Sequence, residues 1–114
     1  MVPVLKADCE LRGRHLNLKT AESLEILKPY GMGNKQPLFY ISDLLVQQVQ
    51  RIGTNGQHLK LKLNKNGVMI DAVAFGFGEN NGISYGSKIS VMCHLEINAF
   101  RNIKEAQLRI TDIK

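Results

Sequence analysis

The stretch Leu27-Lys28-Pro29-Tyr30-Gly31-Met32-Gly33-Asn34-Lys35-Gln36-Pro37-Leu38-Phe39 separates two hydrophobic periods. Pro29 cannot continue a helix, so a helix arriving from the N-terminal side ends at or just before Lys28. Gly31 and Gly33 supply backbone conformations with positive φ, and Asn34 tolerates them. Pro37 then favours an extended path into Leu38 and Phe39. Read alone, this is a connector from helix to strand.

On its N-terminal side, Leu18, Ala21, Leu24 and Leu27 recur at helical spacing, which predicts an amphipathic helix of about ten residues capped by Asn17 or Thr20. Further out, Val2 to Ala7 reads as a short strand and Asp8 to Arg14 as a loop. On the C-terminal side the period becomes two. Leu38 to Ile52 is extended and must bend or bulge midway, because no single alternation fits its length. Gly53-Thr54-Asn55-Gly56 and Asn66-Gly67 are hairpin signals. Between them Leu59, Leu61 and Leu63 take one face, and His58, Lys60, Lys62 and Asn64 the other. Val68 to Phe75 is apolar on both faces except for Asp71. Gly76 to Gly86, with four glycines, reads as a mobile loop. Lys88 to Asn98 alternates again, Ala99 to Lys104 reads as a polar connection, and Glu105 to Ile113 is the last strand.

Five long antiparallel strands after a helix predict a small barrel of the OB type, with an SH3-like barrel or a small open sheet compatible with the same pattern. A resemblance selects among them. Leu27, Pro29, Gly31, Gly33, Asn34, Pro37 and Phe39 resemble the junction that opens the C-terminal OB domain of the RecJ family, bacterial single-strand-specific DNA exonucleases. Tyr30 replaces a Phe of that pattern and Lys35 stands where Pro is frequent. The similarity extends through Gly53, His58-Leu59-Lys60-Leu61, Ala74-Phe75-Gly76, Asn98, Phe100, Gln107-Leu108 and Asp112. Asn102 occupies a position where the family tends to have Gly. The resemblance implies one OB domain over residues 1–114, a mainly all-β chain. Residues 1–37 would form an N-terminal strand, helix and turn, and 38–114 a five-stranded antiparallel barrel, as part of a larger exonuclease.

Composition is compatible with this and excludes other classes. A chain of 114 residues with 44% hydrophobic residues forms one domain with a real core. No apolar run approaches the length of a membrane span, and Met1 to Leu5 lacks a signal-peptide pattern. The two cysteines, Cys9 and Cys93, form no metal-spaced cluster, which fits a reducing cytoplasm. Fifteen basic against ten acidic residues give net charge +5, a modest pointer to a polyanionic partner.

No catalytic set is legible. His15, His58 and His94 are scattered without carboxylates at ligand spacing, and the Asp-His-His motif on which RecJ nucleases rest is absent. No Ser or Cys has a base and orienter. The Gly76 to Gly86 loop lacks the ending of a P-loop. The resemblance therefore implies no cofactor in this stretch, with divalent metal (Mn or Mg) held by catalytic domains elsewhere. The readable chemistry is binding: Lys60 and Lys62 share a strand face beside His58, and Arg51, Lys65, Lys104 and Arg109 extend the positive charge. Single-strand binding also needs rings on which bases stack. Phe39 and Phe75 are assigned to the core, leaving Tyr40, Tyr85 and Phe100, the last beside Arg101 in the connection between the final strands. The implied partner is single-stranded DNA, gripped without sequence preference by a 5′-to-3′ exonuclease of recombination and repair. Docking on the catalytic domains of the same protein or on single-strand-binding protein is the alternative. An independent enzyme would need a cleft of convergent titratable groups.

Overall fold

The computed structural model describes residues 9–25, 36–78 and 82–114. The strand expected at Val2 to Ala7 and the Gly31/Gly33 turn lie outside the described residues. A two-residue strand β1 (Cys9–Glu10) leads through a single 3₁₀ turn at Gly13–His15 into helix α1 (Leu18–Glu25). Five strands follow: β2 (Phe39–Ile52), β3 (His58–Lys65), β4 (Val68–Ala74), β5 (Lys88–Phe100) and β6 (Ile103–Ile113). Asn17 caps α1 by accepting the Thr20 amide at 2.9 Å. Ala21 faces the core and Leu24 packs against it, so the helix covers the barrel beside β5 and β6.

The strands close in the order β2-β3-β4-β6-β5 and back to β2, an OB barrel, with β1 added parallel to β2. One seam departs from the expected antiparallel pattern: β4 and β6 run parallel, pairing Asp71 with Gln107, Ala72 with Leu108 and Val73 with Arg109. An odd number of strands in a closed ring cannot alternate direction at every seam, so one parallel pair is unavoidable. The strand β2 serves both sides of the barrel. Its first half pairs with β5 and its second half with β3, and register shifts at Ile41/Leu44 and Val46/Gln48 make the bend. Asp43, at φ 53°, sits inside the first shift.

Alternation fills the interior. Ile41, Leu44, Leu59, Leu61, Leu63 and Leu108 are fully buried, each worth about 1.5–3 kcal/mol of burial. Ala72 and Ala74 give the barrel room to close on β4. Because β3 runs one residue past the expected end, Lys65 takes the inward parity. It is buried and its ammonium donates to the Ser42 carbonyl and hydroxyl, so it adds nothing to the outer surface. Cys93 is a free buried thiol whose pKa desolvation pushes up to about 12.

Candidate nucleic-acid interface

The outer face of β3 and β4 carries the charged row. The register sets Lys60 opposite Val73 and Lys62 opposite Asp71, and on the other side Lys60 opposite Gln50 and Lys62 opposite Gln48. Lys60 and Lys62 share one concavity with Gln48, Gln50 and Asp71. Lys60 and Asp71 also line an adjoining groove of about 370 Å³ whose other wall is Asn98, Phe100, Ile103 and Glu105. Lys104 borders a third hollow, with Lys62, Met69 and Asp71.

The far wall exists because β5 and β6 form a longer hairpin than expected. The polar connection from Ala99 to Lys104 shrinks to Arg101 and Asn102, at φ 51° and 66°, between the paired residues Phe100 and Ile103. Positive φ at both central positions is the type I′ hairpin turn, which Asn accepts nearly as readily as Gly. That accounts for Asn102 where the family favours Gly. Phe100 is 66% exposed, so it does not plug the barrel. The Arg101 guanidinium lies 5.1 Å from the Phe100 ring centroid, a cation–π contact.

Other candidates are placed differently. Arg51 donates from Nε to the Gly56 carbonyl at 3.0 Å and braces the turn between β2 and β3. Arg109 reaches Glu96 at 3.1 Å and Gln36 at 2.9 Å, so its charge is balanced within the fold. Tyr40 pairs with Glu10 and Met92 near the start of β2, roughly 30 Å of strand from Gln50. The expected core position of Phe75 is corrected: β4 turns Ile70, Ala72 and Ala74 inward, so Phe75 points out and is 56% exposed. His58 sits half-buried against it, ring centroids 5.2 Å apart and nearly perpendicular. The Gly76 amide donates to His58 Nδ1 at 2.9 Å.

The glycine-rich stretch is anchored at its described ends. Gly78 is buried and donates to the Gln57 carbonyl at 2.9 Å, and a Cβ there would lie 2.0 Å from the Gly56 carbonyl oxygen. Gly86 donates to the Val46 carbonyl at 2.8 Å. Among the described residues no group of three or more His, Cys, Asp or Glu comes together to hold a metal ion.

Residues 7–112 match the family of the RecJ OB domain. The chain belongs to that family. It is 30% identical over 112 residues to the single-stranded-DNA-specific exonuclease RecJ of Bacillus subtilis and 32% identical over 114 residues to that of Haemophilus influenzae. Each alignment covers 97% of the chain but only 14% and 20% of the respective relative, so the chain spans less than a quarter of their length. Among solved structures, RecJ of Thermus thermophilus in complex with Mn2+ matches with a TM-score of 0.59 at 24% identity, over 82% of this chain and 13% of that one. The second single-stranded-DNA-binding protein of Mycobacterium smegmatis matches with a TM-score of 0.57 at 16% identity, over 68% and 82%. At these identities both likenesses establish the barrel fold.

In OB barrels the second and third barrel strands, with the hairpins that flank them, form the ligand-binding face. In this RecJ OB domain those strands are β3 and β4, and the flanking turns are Gly53–Gly56 and Arg101–Asn102. The arrangement offers ammonium groups for phosphates, an exposed ring for a base, and amides at Gln48, Gln50 and Asn98 for polar edges.

Proposed function

We propose that this RecJ OB domain binds single-stranded DNA without sequence preference, across the outer face of β3 and β4. The observation that carries the reading is the groove in which Lys60 faces Phe100: a cation for the backbone and a ring for a base in one concavity. Lys62 and Lys104 extend the cationic row, and Arg101 stiffens Phe100. The aromatic content is only 6%, which favours weak, backbone-dominated binding.

The domain would serve a longer cytoplasmic enzyme, a 5′-to-3′ single-strand-specific exonuclease of recombination and repair, by holding the strand and feeding it to the active site. Hydrolysis would belong to catalytic domains outside this chain, along with the Mn2+ or Mg2+ with which RecJ of T. thermophilus is solved. The described residues here bring no suitable ligand cluster together. Fluorescence anisotropy of the 114-residue chain with a labelled oligothymidine, against the same length of duplex, tests the reading. Single-strand preference that weakens with salt supports it; equal or absent binding to both contradicts it.

Exposed Met69 and Ile103, at 45% and 61%, favour a second reading, docking on the catalytic domains or on single-strand-binding protein. Such docking would resist salt far better than phosphate contacts.

A further inference from the structure

The register continues past the lysine row. Leu59 pairs with Ala74 and Lys60 with Val73, so His58 and Phe75 form the next outward rung, about 7 Å further along the strands. The mount is rigid. His58 is held at Nδ1 by the Gly76 amide, its Nε2 lies 3.4 Å from the Gln57 side-chain nitrogen, and its ring meets that of Phe75 nearly at right angles. Behind it, a Cβ on Gly53 would lie 3.0 Å from His58 Cδ2, so any side chain at that turn position would crowd the ring. Gly78 in turn ties the segment after Phe75 to Gln57. The fold thus presents a large apolar ring to water, on a polar, hydrogen-bonded bracket, one rung from a lysine.

We propose that Phe75, braced by His58, is a nucleobase-stacking platform, and that a bound single strand runs from Phe75 past Lys60 to Phe100. The proposal rests on the single-stranded-DNA reading and adds to it a second ring and a path. A ring offered to a protein partner needs contiguous apolar surroundings, whereas here its rung partner is an imidazole, and the next rung carries an ammonium and a Val73 that is only 8% exposed. That setting suits a base whose phosphate lies on Lys60.

The chain has no tryptophan, so Phe75→Trp installs a single fluorescent reporter at the platform. Titration with an oligothymidine of about 12 nucleotides, within the span of one OB fold, is expected to quench its emission with the midpoint read by anisotropy of the labelled oligomer. Phe75→Leu keeps apolar bulk but removes the π-face. It is expected to weaken binding about fivefold or more, with the salt slope unchanged, while Phe75→Tyr retains wild-type affinity. Anisotropy that reports binding while the indole emission stays constant would overturn the platform and leave DNA binding intact. Wild-type affinity in Phe75→Leu would do the same. Failure of the wild-type chain to bind the oligomer at low salt would overturn the underlying reading and the platform together.

Discussion

Asp71 stands across the β3–β4 seam from Lys62, with its Oδ1 3.7 Å from the ammonium, and it borders every hollow in which Lys60 or Lys62 has been placed above. The pair is partly exposed, 47% for Lys62 and 30% for Asp71, so it contributes at most about 1 kcal/mol to folding. Its greater effect is on binding. A phosphate that approaches Lys62 competes with a carboxylate already there.

Asp71→Asn is therefore expected to tighten single-strand binding severalfold, and to steepen the slope of log K against log salt by up to about 0.7 as Lys62 becomes free to displace a counterion. Thermal stability should change by no more than about 1 kcal/mol. Anisotropy over a salt series checks this. Equal gains on oligothymidine and oligocytidine are expected; weakened binding on oligocytidine alone would instead mark Asp71 as an acceptor for the cytosine amine.

The β5–β6 turn gives a second test. Asn102 holds φ 66° beside Arg101 at φ 51°. Asn102→Gly should leave stability within about 0.5 kcal/mol or raise it, whereas the β-branched Asn102→Val should cost on the order of 1–2 kcal/mol. Urea denaturation midpoints decide. The Val variant should also weaken DNA binding, because Phe100 and Arg101 lose their fixed geometry.

Cys93 yields a pH dependence. Its thiol titrates at about 12 in the fold against 9.0 for the unperturbed group, because burial disfavours the thiolate. An acid raised in the native state contributes its stability in full below the unfolded value, and loses it progressively from about 9 upward until both states are ionised near 12. The denaturation midpoint of wild type should fall over that window more steeply than that of Cys93→Ala. Native protein should likewise resist a thiol reagent at Cys93 near neutral pH until it unfolds.

Much of the barrel was legible because it rests on local signals. The Leu59/Leu61/Leu63 alternation and the Asn66-Gly67 turn each fix their element within a few residues. Two readings failed where parity turned on one residue. Extending β3 by one put Lys65 on the inward parity of Leu59, Leu61 and Leu63, and the alternation of Ile70, Ala72 and Ala74 put Phe75 on the outward one. The long β5–β6 hairpin was hidden because Arg101-Asn102 lacks the Gly that usually announces a type I′ turn. The partners of Arg109 were beyond reach for another reason: Glu96, 13 residues away, meets it through the register of the β5–β6 hairpin, and Gln36, 73 residues away, through the closed fold. Of the candidate site, the sequence could place Lys60 and Lys62 on one face and could couple Phe100 to Arg101. It could not show that Lys60, Lys62 and Phe100 border adjoining hollows.

RecJ of T. thermophilus is solved in complex with Mn2+ and with Mg2+, whereas among the described residues here no group of three or more His, Cys, Asp or Glu comes together. Repurified chain incubated with end-labelled single-stranded DNA and Mn2+ or Mg2+ is expected to leave the label intact. Metal-dependent degradation that survives repurification would place catalytic groups in this domain.

The most direct test of single-strand binding across β3 and β4 is the salt dependence of Lys60→Ala/Lys62→Ala, read by anisotropy with a labelled oligothymidine. If both ammonium groups contact phosphate, the double variant binds more weakly and its log K against log salt slope is shallower by about 1.4. Wild-type affinity together with a wild-type slope would contradict the assignment of this face to DNA.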